Sequence, residues 1–569
     1  MKVIIIGGVA GGASCAARLR RLDENAEIVM VERGPYVSYA NCGLPYHVGG
    51  VIPEESSLLV STAEMFKALF KVDARTMCEA VAIDPKNKTV DLKDHQTGEV
   101  TTESYDKLVL SPGAPSIRPP LPGIDLPGIF EVRTVPDARE IRQWLEKGTP
   151  FLAGMHRYMG IQAVRPKTRA VVIGGGFIGL EMTENLVHRG FDVTLLEMAD
   201  QVLGPLDPEM ARMVEAYVEH HGVNVVLQDG VAEFRQSADG TLEVHTRSGA
   251  VHPADIVVLG MGVSPDTALA KAAGLEIGEL GGIRTDEQMR TNEPDIFAAG
   301  DAVEVRDFVT GEWSLVALAG PANRQGHIIA DVIAGRDSRF RGTQGTAIIG
   351  LFEGTAAWTG VCEKTLKRLG DEDYEKIYLF PNSHAGYYPG AKPIAMKVLF
   401  RKSDGRLLGA QALGEVGVDK RISALAALIQ MGATVYDLEE SELCYAPQYG
   451  SAKDPVNFSG MVAAGILSGD MPISHWHEMG DGMILDVREG FELAVENVDG
   501  SVNIPLGQLR SRLDELPRDQ TIHVFCRSGQ RSYYATRLLL QNGFDARNIS
   551  GGTLARTYSS FFLTEGPIY

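Results

Sequence analysis

Two cysteines are set apart by their neighbours. Cys42 lies in the run Ser38-Tyr39-Ala40-Asn41-Cys42-Gly43-Leu44-Pro45, and Cys526 opens the loop Cys526-Arg527-Ser528-Gly529-Gln530-Arg531. No second Cys stands five residues to either side of Cys42, where the residues are Val37 and His47. The Cys42 thiol must therefore pair with a sulfur outside the chain. The second loop leaves four residues between Cys526 and Arg531, a tight ring of backbone N–H groups around one sulfur. Such a nest, with two Arg, stabilises a thiolate or a persulfide anion. Together the two thiols suggest reduction of sulfur–sulfur bonds in a small molecule.

The elements that would position Cys42 begin at the N-terminus. The apolar strand Val3–Ile6, a Gly-rich turn, a helical stretch Ala13–Leu22 and the strand Glu27–Val31 read as a βαβ unit ending at Glu32. A second unit starts at Ala170–Ile173 and ends at Glu197. In it Gly174-x-Gly176-x-x-Gly179 follows a strand and opens a helix, so a pyrophosphate can sit on the helix N-terminus. Glu197, eighteen residues beyond Gly179, can accept bonds from ribose hydroxyls. Met198 and Ala199 follow it, with no Arg to neutralise a 2′-phosphate, which favours NADH over NADPH.

The first turn, Gly7-Gly8-Val9-Ala10-Gly11-Gly12, departs from this pattern, with Val9 where the middle glycine belongs. A Cβ there crowds the approach of backbone to phosphate. Glu32, twenty residues after Gly12, and Asp301 in Ala298-Ala299-Gly300-Asp301 restore the dinucleotide reading. The bland alternative is that both turns are merely tight βα loops.

At 569 residues the chain is too long for one core, and about 150 residues per domain gives roughly four domains. The formal charge of −20 disfavours nucleic acid or an anionic membrane as a general partner. No stretch has the length and apolarity of a signal h-region or a membrane span, so a cytoplasmic chain is expected. The six Cys include no Cys-x-x-Cys, and the thirteen His show no metal-ligand spacing, so neither a disulfide framework nor a metal is expected. Cys15, Cys78, Cys362 and Cys444 read as packing residues, and His47 and His384 lie near motifs without forming a triad.

The Pro-rich stretch Pro112–Pro127 marks a crossover between domains, and the segments ending in Ser111-Pro112-Gly113, Gly262 and Gly300-Asp301 read as strands closing in Gly turns. The first domain is therefore expected to be interrupted by the second and resumed after it. From about Gly342 to Gly465 the pattern changes to strands followed by a helix over Asp419–Met431, read as a separate α+β domain. Ser468–Pro472 reads as a linker, and a small α/β pattern follows. Residues 148 to 168 are expected to hold a surface insertion of no assigned role, because Phe151–Val164 fits no clear element.

These features resemble the two-dinucleotide flavoprotein disulfide reductases. More narrowly, the run Gly7–Ala13, the run Ser38–Tyr46, His384-Ala-Gly-Tyr-Tyr-Pro-Gly390 and Tyr445-Ala-Pro-Gln-Tyr449 resemble coenzyme A disulfide reductases over residues 1 to about 465. Leu485-Asp-Val-Arg488, Val502-Asn-Ile-Pro505 and the Cys526 loop resemble a rhodanese domain. Phosphatases of related fold carry one more loop residue to fit a phosphate, so this loop length argues for sulfur transfer. The whole chain is similar to coenzyme A disulfide reductase–rhodanese fusions, whose members include NADH-dependent persulfide reductases.

The resemblance implies an α/β protein with two Rossmann-like dinucleotide-binding domains, an α+β dimerisation domain and a C-terminal rhodanese-like α/β domain. It places an FAD-binding domain at residues 1–118 and 266–335, an NAD-binding domain at 119–265, the dimerisation domain at 340–467 and the rhodanese-like domain at 474–569. FAD would be held by Gly7, Gly8, Val9, Ala10, Gly11 and Gly12, by Glu32 and Arg33, by Ser111, Pro112 and Gly113, and by Gly300 and Asp301. NADH would be held by Gly174, Gly176, Gly179, Glu197 and Gly262. Cys42 would be the redox nucleophile, with Ser38 and Asn41 beside the substrate. In a homodimer, Tyr387 and Tyr445 would reach the active site across the interface, and Lys453 would meet the nucleotide of coenzyme A. Ser14, Arg18 and Arg21 on the first helix, and Lys71, would contact coenzyme A, although for the two Arg a solvated helix face is the bland alternative. Cys526 and Arg531 would be the sulfur-transfer pair.

The implied activity is NADH-dependent reduction of coenzyme A persulfide or polysulfide, and of coenzyme A disulfide, with release of sulfide. Sulfane-sulfur donors would load the rhodanese domain. Two alternatives stand: a coenzyme A disulfide reductase for thiol balance, and a sulfur-trafficking transferase that docks a protein partner. Related NADH peroxidases and oxidases with a single redox Cys carry a His where this chain has Ala10, which weakens a peroxide or oxygen reading.

Overall fold

A computed structural model of the protein describes residues 1–147, 168–238 and 240–557. The surface insertion expected at residues 148 to 168 lies outside the described residues but for Thr168, which opens a strand. The chain forms two compact units, residues 1–200 with 222–345, and residues 201–221 with 346–569.

The first unit is built on two five-stranded parallel sheets. In the first, the order is Ile296–Ala298, Lys107–Leu110, Lys2–Ile6, Glu27–Val31, Asp73–Arg75. Val3, Ile4 and Ile5 are wholly buried, as both faces of a parallel sheet require, which is why the strand reads as a continuous apolar run. The chain leaves this sheet after Leu110, passes through the second, and returns at Ile296. The second sheet has the order Asn224–Val226, Phe191–Leu196, Thr168–Ile173, Ile256–Leu259, Ile129–Glu131. Each sheet feeds a helix from a glycine turn: Ala10–Leu22 from the first and Phe177–His188 from the second. The first helix starts three residues before the stretch read from sequence, because Ala10, Gly11 and Gly12 already belong to it. Helix Ala319–Ile333 packs against it so closely that a Cβ on Gly326 would lie 2.1 Å from the Gly11 carbonyl oxygen.

The second unit holds an antiparallel sheet ordered Ala347–Leu351, Gly354–Gly360, Leu407–Gly414, Ile394–Arg401, Tyr374–Leu379. Helix Val418–Gln430 lies on it, one residue from the bounds read in sequence. A parallel sheet follows, ordered Ile473–Ser474, Ala546–Ile549, Ile522–Phe525, Met483–Asp486, Ser501–Asn503. The segment after this last sheet packs on strand Tyr374–Leu379 of the same chain. The Tyr378 N–H donates to Ser550 Oγ at 3.1 Å, and a Cβ on Gly551 would meet Tyr378 Cβ at 2.8 Å. Helix Pro208–His220 belongs to this unit as well. It is tied there by Lys397, whose side chain is fully buried and whose ammonium lies 2.9 Å from Asp207 and 2.6 Å from Glu363 and pairs with Glu209. These elements give the α/β class with two Rossmann-like sheets, an α+β domain and a rhodanese-like domain that the sequence implied. No helix among the described residues is long and apolar enough to cross a membrane.

Candidate active site

The two glycine turns are built alike. Gly7 has φ +96° and Gly174 φ +105°, and a Cβ on either would collide with the neighbouring strand's end, at Ser111 O (1.9 Å) and Gly260 O (2.2 Å). Both are therefore confined to glycine. Gly12 and Gly179 serve close packing of helix on turn, since a Cβ on each would lie 1.9 Å and 1.8 Å from the carbonyl oxygens of Gly7 and Gly174. Gly176 faces open space instead, leaving room for a ligand to approach the backbone. Val9 occupies the equivalent place in the first turn at φ −101°, outside the left-handed region that favours glycine. Neither helix has a side-chain cap at its N-terminus, so each offers free N–H groups to an anion.

The acidic residues repeat the likeness. Glu32 accepts from the N–H groups of Gly8 and Gly34, both at 2.9 Å; Glu197 accepts from those of Gly175 at 2.6 Å and Ala199 at 2.7 Å. Each carboxylate is thereby fixed at a turn with lone pairs left for ribose hydroxyls. Both sites thus fit a dinucleotide. Gly113, Gly262 and Gly300 have φ of +77°, +92° and +84° and close the neighbouring strand ends. Gln325, nearly wholly buried, holds the Gly300 N–H at 2.7 Å. Arg33 reaches Asp266 at 3.0 Å.

One cavity of about 490 Å³ joins the first turn to the thiol. Its walls include Val9, Ala10, Gly11, Glu32 and Arg33, then Ser111, Pro112 and Gly113, then Gly300 and Asp301, and finally Asn41 and Cys42. Cys42 sits in a short 3₁₀ turn, Asn41–Gly43, that runs directly into the helix Leu44–Gly49, with Pro45 in its first turn. The thiol is exposed to the cavity, yet it is held above its ordinary value, first by the surrounding protein and then by the charge of Glu181. Asn41 donates to the Arg133 carbonyl at 3.3 Å, and the Arg133 guanidinium pairs with Asp301 at 3.1 Å.

Sequence reasoning missed Glu181 and Tyr46. Glu181 lies two residues past Gly179, and burial pushes its carboxyl up to about 7, with Glu184 adding to the rise. Tyr46, in the helix that follows Cys42, reaches Glu181 Oε1 at 3.4 Å. Its phenol is raised by burial and by the Glu181 charge.

The remaining residues expected near the substrate do not line the cavity. Ser38 is held in the left-handed region at φ +47° while its N–H donates to the Gly8 carbonyl at 2.7 Å. Ser14 donates to Asn323 at 2.5 Å, and Arg18 is engaged by Asp331 at 2.9 Å. Arg21 is exposed, and Lys71 pairs with Glu24 on the surface.

In the second unit the hydroxyls of Tyr387 and Tyr445 lie 3.0 Å apart, both rings exposed, and Lys453 is exposed as well. Cys526 is 1% exposed at the end of strand Ile522–Phe525. Its sulfur accepts from the Gly529 N–H at 3.2 Å and from Ser532 Oγ at 3.4 Å. Gly529, at φ +94°, turns the loop so that helix Gln530–Gln541 starts immediately after it. Arg531 is paired with Glu492.

Residues 1–326 match the pyridine nucleotide-disulphide oxidoreductase family, residues 347–454 the dimerisation domain of that family and residues 473–555 the rhodanese-like domain. The chain is 33% identical to a coenzyme A disulfide reductase of Staphylococcus haemolyticus, over 81% of this chain and 99% of the relative. Among solved structures, reduced CoADR-RHD of Bacillus anthracis is 45% identical with a TM-score of 0.92, covering 100% of this chain and 99% of the other. A NAD-dependent persulfide reductase from A. fulgidus is 38% identical with a TM-score of 0.87, covering 98% and 99%. With a paired set of dinucleotide turns, a thiol at the end of one cavity and these likenesses along its length, the chain belongs to the pyridine nucleotide-disulphide oxidoreductase family.

Proposed function

We propose that the protein is an FAD-dependent, NADH-consuming reductase of coenzyme A persulfide, and of coenzyme A disulfide, acting through Cys42. Its rhodanese-like domain accepts sulfane sulfur and the product is sulfide. The observation that carries this reading is a cavity running from the first dinucleotide turn to Cys42, with no second Cys among the described residues that line it.

The backbone of residues 7–12 and the end of helix Ala10–Leu22 hold the FAD pyrophosphate, and Glu32 orients its ribose. Gly174–Gly179 and Glu197 do the same for NADH. When bound, FAD supplies the two-electron chemistry that links NADH to a disulfide. Cys42, as thiolate, attacks the inner sulfur of coenzyme A persulfide. The bond between the two persulfide sulfurs breaks, hydrosulfide leaves with the bonding pair, and a Cys42–coenzyme A mixed disulfide remains. Two electrons and one proton then return the Cys42 thiolate and free coenzyme A. In the homodimer proposed for the family's dimerisation domain, Tyr387 and Tyr445 supply the proton to the leaving thiolate and Lys453 meets the nucleotide of coenzyme A. Arg18 and Arg21 are proposed to meet its phosphates, Arg18 once Asp331 has been displaced.

The Cys42→Ser variant tests the reading. It should retain bound FAD and lose NADH oxidation with either coenzyme A substrate by about a thousand-fold or more. Retained turnover would exclude Cys42 as the nucleophile.

A further inference from the structure

The loop that carries Cys526 contains two arginines, and one of them has its charge compensated. Arg531 is held by Glu492 in a two-pronged pair, at 2.6 and 2.7 Å, with both side chains largely withdrawn from water. Such bidentate pairs fix both position and charge balance. Glu492 is itself fixed, since the same carboxylate accepts from the Glu489 N–H at 3.0 Å in the cap of the short helix Gly490–Leu493. The Arg531 guanidinium also faces the Cys526 thiol, so the Glu492 charge lies in the second layer around the sulfur. A third arginine, Arg488, is taken up by Asp486 in a buried pair at 2.7 Å. Arg527 makes no ion pair or side-chain hydrogen bond among the described residues. Of the two loop arginines, then, the one that faces the sulfur, Arg531, is opposed by Glu492, and the Arg527 charge, on the residue next to Cys526 in the chain, is the surplus. The rim beside Glu492 is apolar, with Phe491 and Val495 exposed.

Resting on the reading of Cys526 as a sulfane-sulfur acceptor, we propose that Glu492 sets the donor specificity of this loop. By neutralising Arg531 it matches the site to donors whose reacting end carries a single charge, organic persulfides, and against inorganic dianions such as thiosulfate. With a persulfide, the Cys526 thiolate attacks the outer sulfur of R–S–S⁻, the S–S bond breaks, and R–S⁻ leaves with the bonding pair while Cys526 gains the sulfur. With thiosulfate, the same attack expels sulfite, and one more negative charge must be brought against the same surplus. The backbone N–H of Gly529 and the Ser532 hydroxyl stabilise the Cys526 sulfur equally for both donors, so discrimination falls to the charge beyond them.

The test uses the full-length, FAD-loaded protein and follows sulfur loading on the Cys526-containing peptide by mass spectrometry after mixing with thiosulfate or with glutathione persulfide. Glu492→Gln should raise the thiosulfate rate about ten-fold while the persulfide rate stays within about three-fold. Glu492→Asp keeps the charge and should keep the wild-type donor ratio. A merely structural pair would slow both donors together; that result, an unchanged donor ratio in Glu492→Gln, or a wild type that prefers thiosulfate would overturn the proposal. If the wild-type peptide took up sulfur from neither donor, the sulfur-acceptor reading itself would fall and the proposal with it, a failure distinct from a donor ratio that does not move.

Discussion

The Tyr46 hydroxyl meets the Glu181 carboxylate at 3.4 Å, and in doing so ties the helix that follows Cys42 to the helix that opens the second dinucleotide turn. Burial holds Glu181 up to about 7, so near neutral pH it is divided between acid and carboxylate. Its charged form opposes a Cys42 thiolate.

Glu181→Gln removes that opposition. The midpoint of Cys42 alkylation against pH should move down by about half a unit to one unit. The wild type should also show an inflection near the Glu181 value of about 7 that the variant lacks. An unchanged midpoint, or an upward one, would mean that the two groups do not sense each other.

Lys397 meets Asp207, Glu209 and Glu363 in the interior of the second unit. Although burial works against ionisation, the Lys397 charge and the surrounding lysine hydrogen bonds hold the Glu363 carboxyl far below its ordinary range. Stability from Glu363 is therefore present above the unfolded carboxyl value of about 4.3 and is lost only as pH falls into strong acid. Lys397→Met leaves buried carboxylates without their cation and should cost about 3 to 5 kcal/mol near neutral pH, read by calorimetry. A loss under about 1 kcal/mol would show that the carboxylates find other partners.

Cys526→Ser separates the two halves of the reaction. The variant should turn over preformed coenzyme A persulfide as the wild type does, yet lose NADH oxidation driven by a bulky sulfane donor through coenzyme A. Survival of both activities would show that the sulfur does not pass through Cys526.

Much of this architecture was legible because its causes are local. A glycine at φ +96° or +105° leaves its mark at a fixed place after a strand, and Glu32 and Glu197 stand at the ribose-binding distance from their turns. Cys42 stood out because neither Val37 nor His47 offers it a partner thiol, and the structure sets it on the cavity wall. The resemblance carried the family and the domain order. Glu181, Glu492 and Lys397 were not legible: each acts through a residue distant in the chain, and a carboxylate on a helix looks the same in sequence whether it faces water or Arg531. The place of helix Pro208–His220 in the second unit is another case. Residues 208–220 lie in sequence between strands of the second sheet, but Asp207 and Glu209 bind them to Lys397, a relation no local pattern records. Arg18 shows the reverse, since its placement on the first helix was plain while its engagement by Asp331 was not.

Anaerobic NADH oxidation by the FAD-loaded protein, with coenzyme A persulfide and coenzyme A disulfide compared side by side and sulfide followed, tests the central claim most directly. The account predicts faster turnover of the persulfide, with one sulfide released for each NADH consumed. A clear preference for the disulfide, with no sulfide formed from the persulfide, would contradict it and leave an enzyme of thiol balance.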